Sequence, residues 1–298
     1  MKPLPLSASP RGDSPAATFM VDRVPPHAYF LVSAVFHYLG PAFAVLLFAH
    51  VAPLGVAWLR IASAAVIFAA WRRPWRYYRS LQPAAKRNVL MLGSVLALMN
   101  ICFYVAIDRL PLGTVGAIEF AGPIGLAALG VRSKRNIAAL VLAAAGVYAL
   151  TTVRLAGQPL GFAFAFADCG FFVLYIILGH RIAADGGVAG IDRLGFAMLV
   201  AMVVAFPIGI HQAMPAFVSP LLLAAGVGIG VSSSVIPYVC DQLAMARLPR
   251  ATFALLLSLL PAVASLIGAV VLHQLPTLAD IGGIALVVGG VVLHRSAD

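Results

Sequence analysis

Ten acidic residues are spread over 298 positions, and three of them, Glu119, Asp168 and Asp241, fall inside long apolar stretches. An ionisable group held in hydrocarbon costs about 3 kcal/mol or more, so each marks a solute or proton path unless a neighbouring helix satisfies it. Glu119, the sole glutamate, sits in Ile118-Glu119-Phe120-Ala121-Gly122-Pro123. Pro123 has no N–H for the carbonyl four residues back, which is that of Glu119. One helical level therefore offers both a carboxyl that can exchange a proton and an unclaimed backbone acceptor. Asp168 follows an alternating Phe/Ala run and lies about 12 Å into its helix at the usual rise. A cavity position and a helix–helix hydrogen bond are equally open to it. Asp241 follows Pro237-Tyr238 near the end of its run, where it lines a cavity or pairs with Arg247 or Arg250 at the interface. Arg60, in Trp58-Leu59-Arg60-Ile61, is a lone cation inside an apolar run. It is a counter-charge for one of the acids or for a substrate carboxylate, or it snorkels to the near interface.

Polar aromatics and amides complete a candidate lining: His37, Tyr38, Asn100, Tyr104, Tyr175, Tyr238 and Ser232 to Ser234. Asn100 and Tyr104 are four apart and face the same way on a helix. Several such groups turned into one cavity would supply hydrogen bonds to a small polar solute. Other chemistries find no support. The lysines, Lys2, Lys86 and Lys134, lie outside the apolar runs, which excludes a retinal Schiff base. No Walker A or HExxH pattern occurs, and no Ser/His pairing stands out. The seven histidines scatter mostly to helix ends, and Cys102, Cys169 and Cys240 match no zinc spacing. No cofactor or metal is expected, and the cysteines read as small buried hydrophobes.

The elements that must position these residues follow from composition. The chain is 62% hydrophobic and 10% charged, with a mean hydropathy of +1.00. A water-soluble globule needs about 25% charged residues, so soluble enzymes are excluded. Continuously apolar runs rather than alternating ones exclude an outer-membrane barrel. The fold class expected is an all-α integral membrane protein with ten transmembrane helices. They fall near 29–48, 53–70, 89–107, 113–130, 137–153, 160–178, 194–212, 219–245, 251–272 and 278–294. Residues 1–28 read as a short disordered cytoplasmic tail without the apolar core of a signal peptide. The tight gaps Asp108–Pro111 and Arg247–Arg250 join antiparallel neighbours. The fifth and tenth crossings, almost wholly small or aliphatic, are expected to be peripheral scaffold helices.

The formal charge of +10 does not point to nucleic acid, because the basic residues sit in short loops. Lys2, Arg11, Arg23, Arg72, Arg73, Arg76, Arg79, Lys86, Arg87, Arg132, Lys134, Arg135, Arg181, Arg193, Arg247, Arg250 and Arg295 fall on one side, which makes 17. Arg109 and Arg154 alone fall on the other. Positively charged loops stay in the cytoplasm, so both termini are predicted there.

An internal repeat adds direction. Cys102, Ala106, Arg109, Leu110 and Pro111 recur as Cys240, Ala244, Arg247, Leu248 and Pro249, and the offset continues to Thr114/Thr252 and Pro123/Pro261. Two copies of a five-helix unit, 29–153 and 154–298, must insert with opposite orientation, since five is odd. Inverted repeats with a polar site at their interface are the mark of secondary transporters.

These motifs also carry a family likeness. Met99-Asn100, Phe103-Tyr104, Leu110-Pro111-Leu112-Gly113 and Glu119-Phe120 with Gly122-Pro123 resemble the EamA type of the drug/metabolite transporter superfamily. Pro237-Tyr238, Arg247-Leu248-Pro249 and Thr252-Phe253 in the second half match as well. Within that family the pattern is similar to that of amino-acid exporters. The resemblance implies efflux of small neutral amino acids or related metabolites across a bacterial inner membrane by alternating access. Asp241 stands where the family pattern has a glutamate, and Asp168 where it has a small residue.

Overall fold

The computed structural model describes residues 25–130, 133–152, 158–183, 187–245 and 260–293, and every regular element among them is helical. In chain order the helices are α1 (Pro26–Leu47), α2 (Pro53–Arg72), α3 (Trp75–Ser80), α4 (Pro83–Ile107), α5 (Leu112–Gly130), α6 (Lys134–Thr152), α7 (Pro159–Ala183) and α8 (Gly187–Phe217). Then come α9 (Pro220–Gly230), a π-helical segment (Val231–Val235), α10 (Ile236–Met245), α11 (Leu260–Leu272) and α12 (Leu278–Leu293). Proline opens α1, α2, α4 and α9 at a position whose N–H has no partner inside a helix. Among the described residues six helices are long and apolar enough to cross a membrane. The chain is an integral membrane protein.

Three expectations change in detail. The gap between the second and third crossings contains α3, whose Tyr78 stacks on Phe196 of α8 at 3.8 Å. The third crossing starts at Pro83 rather than residue 89, because Lys86 and Arg87 extend the helix beyond its apolar part. The seventh runs from Gly187 to Phe217, through Pro207 and Pro215. Each proline removes one backbone bond, and close packing on neighbouring helices keeps the rod continuous. The Asp108–Pro111 turn forms as expected, with Leu110 N donating to the Ala106 carbonyl at 2.8 Å. The Arg247–Arg250 gap lies outside the described residues.

Helix pairs pack through small residues, as they do where lipid removes the hydrophobic drive between helices. Gly55 meets the Gln212–Ala213 backbone and Gly209 meets Trp58, which brings α2 and α8 close. Trp58 Nε1 also donates to the Met202 carbonyl at 3.2 Å. Near the other end of this pair Arg72 and Asp192 form an ion pair at 2.9 Å. Helix α4 packs on α7 and α8, α1 on the π segment, α10 and α11, and α5 on α7 and α11. Helices α6 and α12 pack on each other outside this core, with Gly146 on the Gly283 carbonyl and Gly290 on that of Ala139. That is the peripheral pair expected from their composition.

Candidate functional site

Arg60 projects from α2 into the protein and is 5% exposed, so it does not snorkel. Its Nη2 donates to the Ser233 carbonyl at 2.7 Å and its Nε to Ser234 Oγ at 2.9 Å. The local sequence explains why that carbonyl accepts a side chain. Pro237 has no N–H for the carbonyl four residues back, and the Ile236 N–H bonds instead to Val231 in a π turn. Gly230 lets this opened rod approach α2, since a Cβ there would collide with Ser63 and the Arg60 carbonyl.

Glu119 on α5 is buried, and the Tyr38 hydroxyl of α1 donates to its Oε2 at 3.3 Å. Gly116, one turn earlier, faces Tyr38, where a side chain would displace the hydroxyl. One turn later Gly122 lies against Cys169 of α7, and Phe120 meets Phe172 edge-on at 5.3 Å. These contacts bring Asp168 beside Glu119. Asp168 is fully buried, and neither carboxyl oxygen has a hydrogen-bond partner. Arg60 lies within electrostatic range of both acids.

The amide and phenol groups surround this charged centre. The Arg60 guanidinium lies 5.6 Å from the centre of the Tyr104 ring, and the buried Tyr104 hydroxyl faces Ser233. Asn100 Nδ2 donates to the Leu96 carbonyl at 2.7 Å, and its side chain also faces Tyr238. The Tyr238 ring stands 6.3 Å from that of Tyr175, which stacks on Phe172. His37 meets Tyr38 edge-on at 5.2 Å and is half-buried. Asp241 is set apart, accepting from Ser33 Oγ of α1 at 2.5 Å. Arg247 and Arg250, its other candidate partners, are outside the described residues. Ser33 escaped the sequence reading because a single serine in an apolar helix ordinarily bonds its own backbone. Its burial at a helix–helix contact is a long-range fact.

Among the described residues no group of three or more His, Cys, Asp or Glu is placed to hold a metal ion. A cavity of about 190 Å³ between α5, α11 and α12 is lined by Thr114, Ser265, Gln274 and Asp280, and includes none of the charged cluster. What converges at the centre is one cation, two carboxyls and several phenols and hydroxyls, drawn from α1, α2, α4, α5, α7 and the α9–α10 rod. Such a set has no nucleophile–base pair for covalent chemistry. It can bind a small charged solute or a proton.

Ionisable groups enclosed between membrane helices mark the path of a solute or ion, the hallmark of a membrane transport protein. Comparison with known proteins gives the particular family: the chain belongs to the EamA-like transporter family, whose pattern matches residues 159–295. It is 32% identical over 253 residues to the threonine/homoserine exporter RhtA of Salmonella typhimurium LT2, covering 83% of this chain and 82% of that protein. The same exporter from Escherichia coli K12 matches with the same identity and coverage. A solved crystal structure with 18% identity superposes with a TM-score of 0.55 over 90% of this chain and 97% of that one, which supports the fold alone.

Proposed function

We propose that this protein exports small neutral amino acids of the threonine or homoserine kind, or closely related metabolites, by alternating access. The observation that carries the reading is the enclosure of Arg60 and Glu119 in one cluster. A zwitterion taken into the membrane needs a partner for each charge. Arg60 binds the carboxylate with its remaining N–H donors, and Glu119 binds the ammonium or exchanges a proton for it. Asn100, Tyr104 and Tyr238 supply neutral hydrogen bonds, with His37, Tyr38, Asp168, Tyr175 and Asp241 completing the lining. The likeness to the RhtA exporters favours an amino acid over other solutes of this size.

The proposed architecture is ten crossings in two inverted five-helix units, 29–153 and 154–298, behind a tail of residues 1–28. The packing supports it. Exchange α1 with α7, α2 with α8, α4 with the α9–α10 rod, α5 with α11, and α6 with α12. The contact of α4 with α7 then becomes that of α10 with α1, and α5 on α7 becomes α11 on α1. Asn100 and Tyr238, which the sequence repeat aligns, face each other. The charge bias places both termini in the cytoplasm of a bacterial cell and the helices in its inner membrane.

The test is counterflow. Purified protein in liposomes loaded with unlabelled threonine should accumulate external labelled threonine and homoserine transiently. Exchange confined to nucleotide sugars, vitamins or cationic drugs would refute the amino-acid reading. Uptake with and without an imposed pH gradient separates a proton antiporter from a passive facilitator.

A further inference from the structure

Asp168 lines the site, and it is the one ionisable side chain of the central cluster for which a neutral amino acid brings no opposite charge. Its burial is complete and both its oxygens lack hydrogen-bond partners, although an ionised carboxyl offers about four lone-pair sites. Glu119, by contrast, has Tyr38, and Arg60 has Ser233 and Ser234. Within electrostatic range of Asp168 lie Tyr38 of α1, Arg60 of α2, Cys102 of α4 and Glu119 of α5. Among them Arg60 is the single cation. When both carboxyls are ionised they outnumber the guanidinium by one charge, and a zwitterion adds no net charge to offset it.

We infer that Asp168 is a second cation-binding group of this site, which selects amino acids carrying an additional ammonium on the side chain. The inference rests on the amino-acid reading above and extends it. Arg60 takes the α-carboxylate, Glu119 the α-ammonium and Asp168 the side-chain ammonium. The bound complex is then electrically balanced, and the Asp168 carboxyl gains three N–H donors.

The probe pair is homoserine and 2,4-diaminobutyrate, which differ by a hydroxyl against an ammonium on the same carbon. Each is used unlabelled to compete with labelled threonine exchange in proteoliposomes of the full chain, for the unmodified protein and for Asp168→Asn. In the unmodified protein 2,4-diaminobutyrate should compete about tenfold better than homoserine, the scale of one charge-assisted hydrogen bond. Asp168→Asn should abolish that advantage, bringing 2,4-diaminobutyrate down to the level of homoserine in the same variant. A membrane potential, negative inside, should also speed entry of 2,4-diaminobutyrate against internal threonine and leave threonine self-exchange unchanged. That measurement uses the unmodified protein alone, so it decides the matter even if the variant does not reach the membrane. Threonine exchange indifferent to 2,4-diaminobutyrate would overturn the role of Asp168 and leave the amino-acid reading standing. So would an advantage that survives Asp168→Asn. Absence of all amino-acid exchange would overturn both.

Discussion

The Tyr38 hydroxyl donates to Glu119 Oε2 at 3.3 Å, joining α1 to α5 at the level of the buried charges. Both side chains are enclosed, so the bond is shielded from water on every side. Glu119→Gln preserves the shape and an acceptor oxygen and removes the charge. Threonine exchange should fall by about tenfold or more, since a buried ammonium loses its counter-charge. Its dependence on pH between 5 and 8 should flatten as well. Tyr38→Phe keeps the ring and removes the donor, which should cost about 1–3 kcal/mol through the unmet carboxyl. Exchange rates against pH, with thermal unfolding in detergent, check both. Exchange by Glu119→Gln that is undiminished and unchanged in its pH dependence would remove Glu119 from the mechanism.

Arg60 donates to two acceptors at once, Ser233 O and Ser234 Oγ. Lysine carries the same charge without the planar fork, so Arg60→Lys should weaken threonine binding about tenfold. Pro237→Ala approaches the same contact from the other side. It restores a backbone N–H that competes with Arg60 for the Ser233 carbonyl, and apparent affinity should fall several-fold with folding intact. Concentration dependence of exchange, measured beside membrane yield, separates a binding defect from a folding defect.

Glycine substitutions should sort by position. A Cβ at Gly116 would lie 2.9 Å from the Tyr38 hydroxyl and 3.1 Å from Ala264 Cβ. Gly116→Ala should therefore cost about 1–3 kcal/mol in overpacking and lower the exchange rate by moving Tyr38 off Glu119. Gly282 has nothing within 4 Å of its would-be Cβ. Gly282→Ala should leave transport unchanged and add about 0.5–1 kcal/mol of helix stability. Melting curves of the two purified variants test the contrast.

Topology is open to direct chemistry. Single-cysteine substitutions at Arg109 and Arg247, in a chain with Cys102, Cys169 and Cys240 replaced by serine or alanine, should react with an impermeant maleimide from opposite faces of the membrane. Labelling of both from the same face would overturn the inverted duplication and the enclosed site with it.

The charged residues of the site were legible in the sequence because lipid penalises every ionisable group, and few survive by accident. Arg60, Glu119 and Asp168 stood out for that reason alone, and the Asp108–Pro111 turn was readable from its proline and charges. Which of them meet was not legible. Tyr38 and Glu119 are 81 residues apart, and only the crossing of two helices brings them together. The burial of Arg60 decided between two readings that local sequence supports equally. Helix α3 was missed because its six residues, Trp75–Ser80, are too short for a periodic signal. It is held by a partner more than a hundred residues away, through Tyr78 and Phe196.

The wide turn at Val231–Val235 has a geometric effect on everything after it. A loop of five rather than four residues inserts one extra position into the spiral, which rotates the following segment by about 100° relative to an unbroken α-helix. A helical wheel drawn straight through residues 220–245 therefore assigns Tyr238 and Asp241 to the wrong compass bearings. The inward bearing of Tyr238, and the turn of Asp241 toward Ser33, are products of that single dislocation.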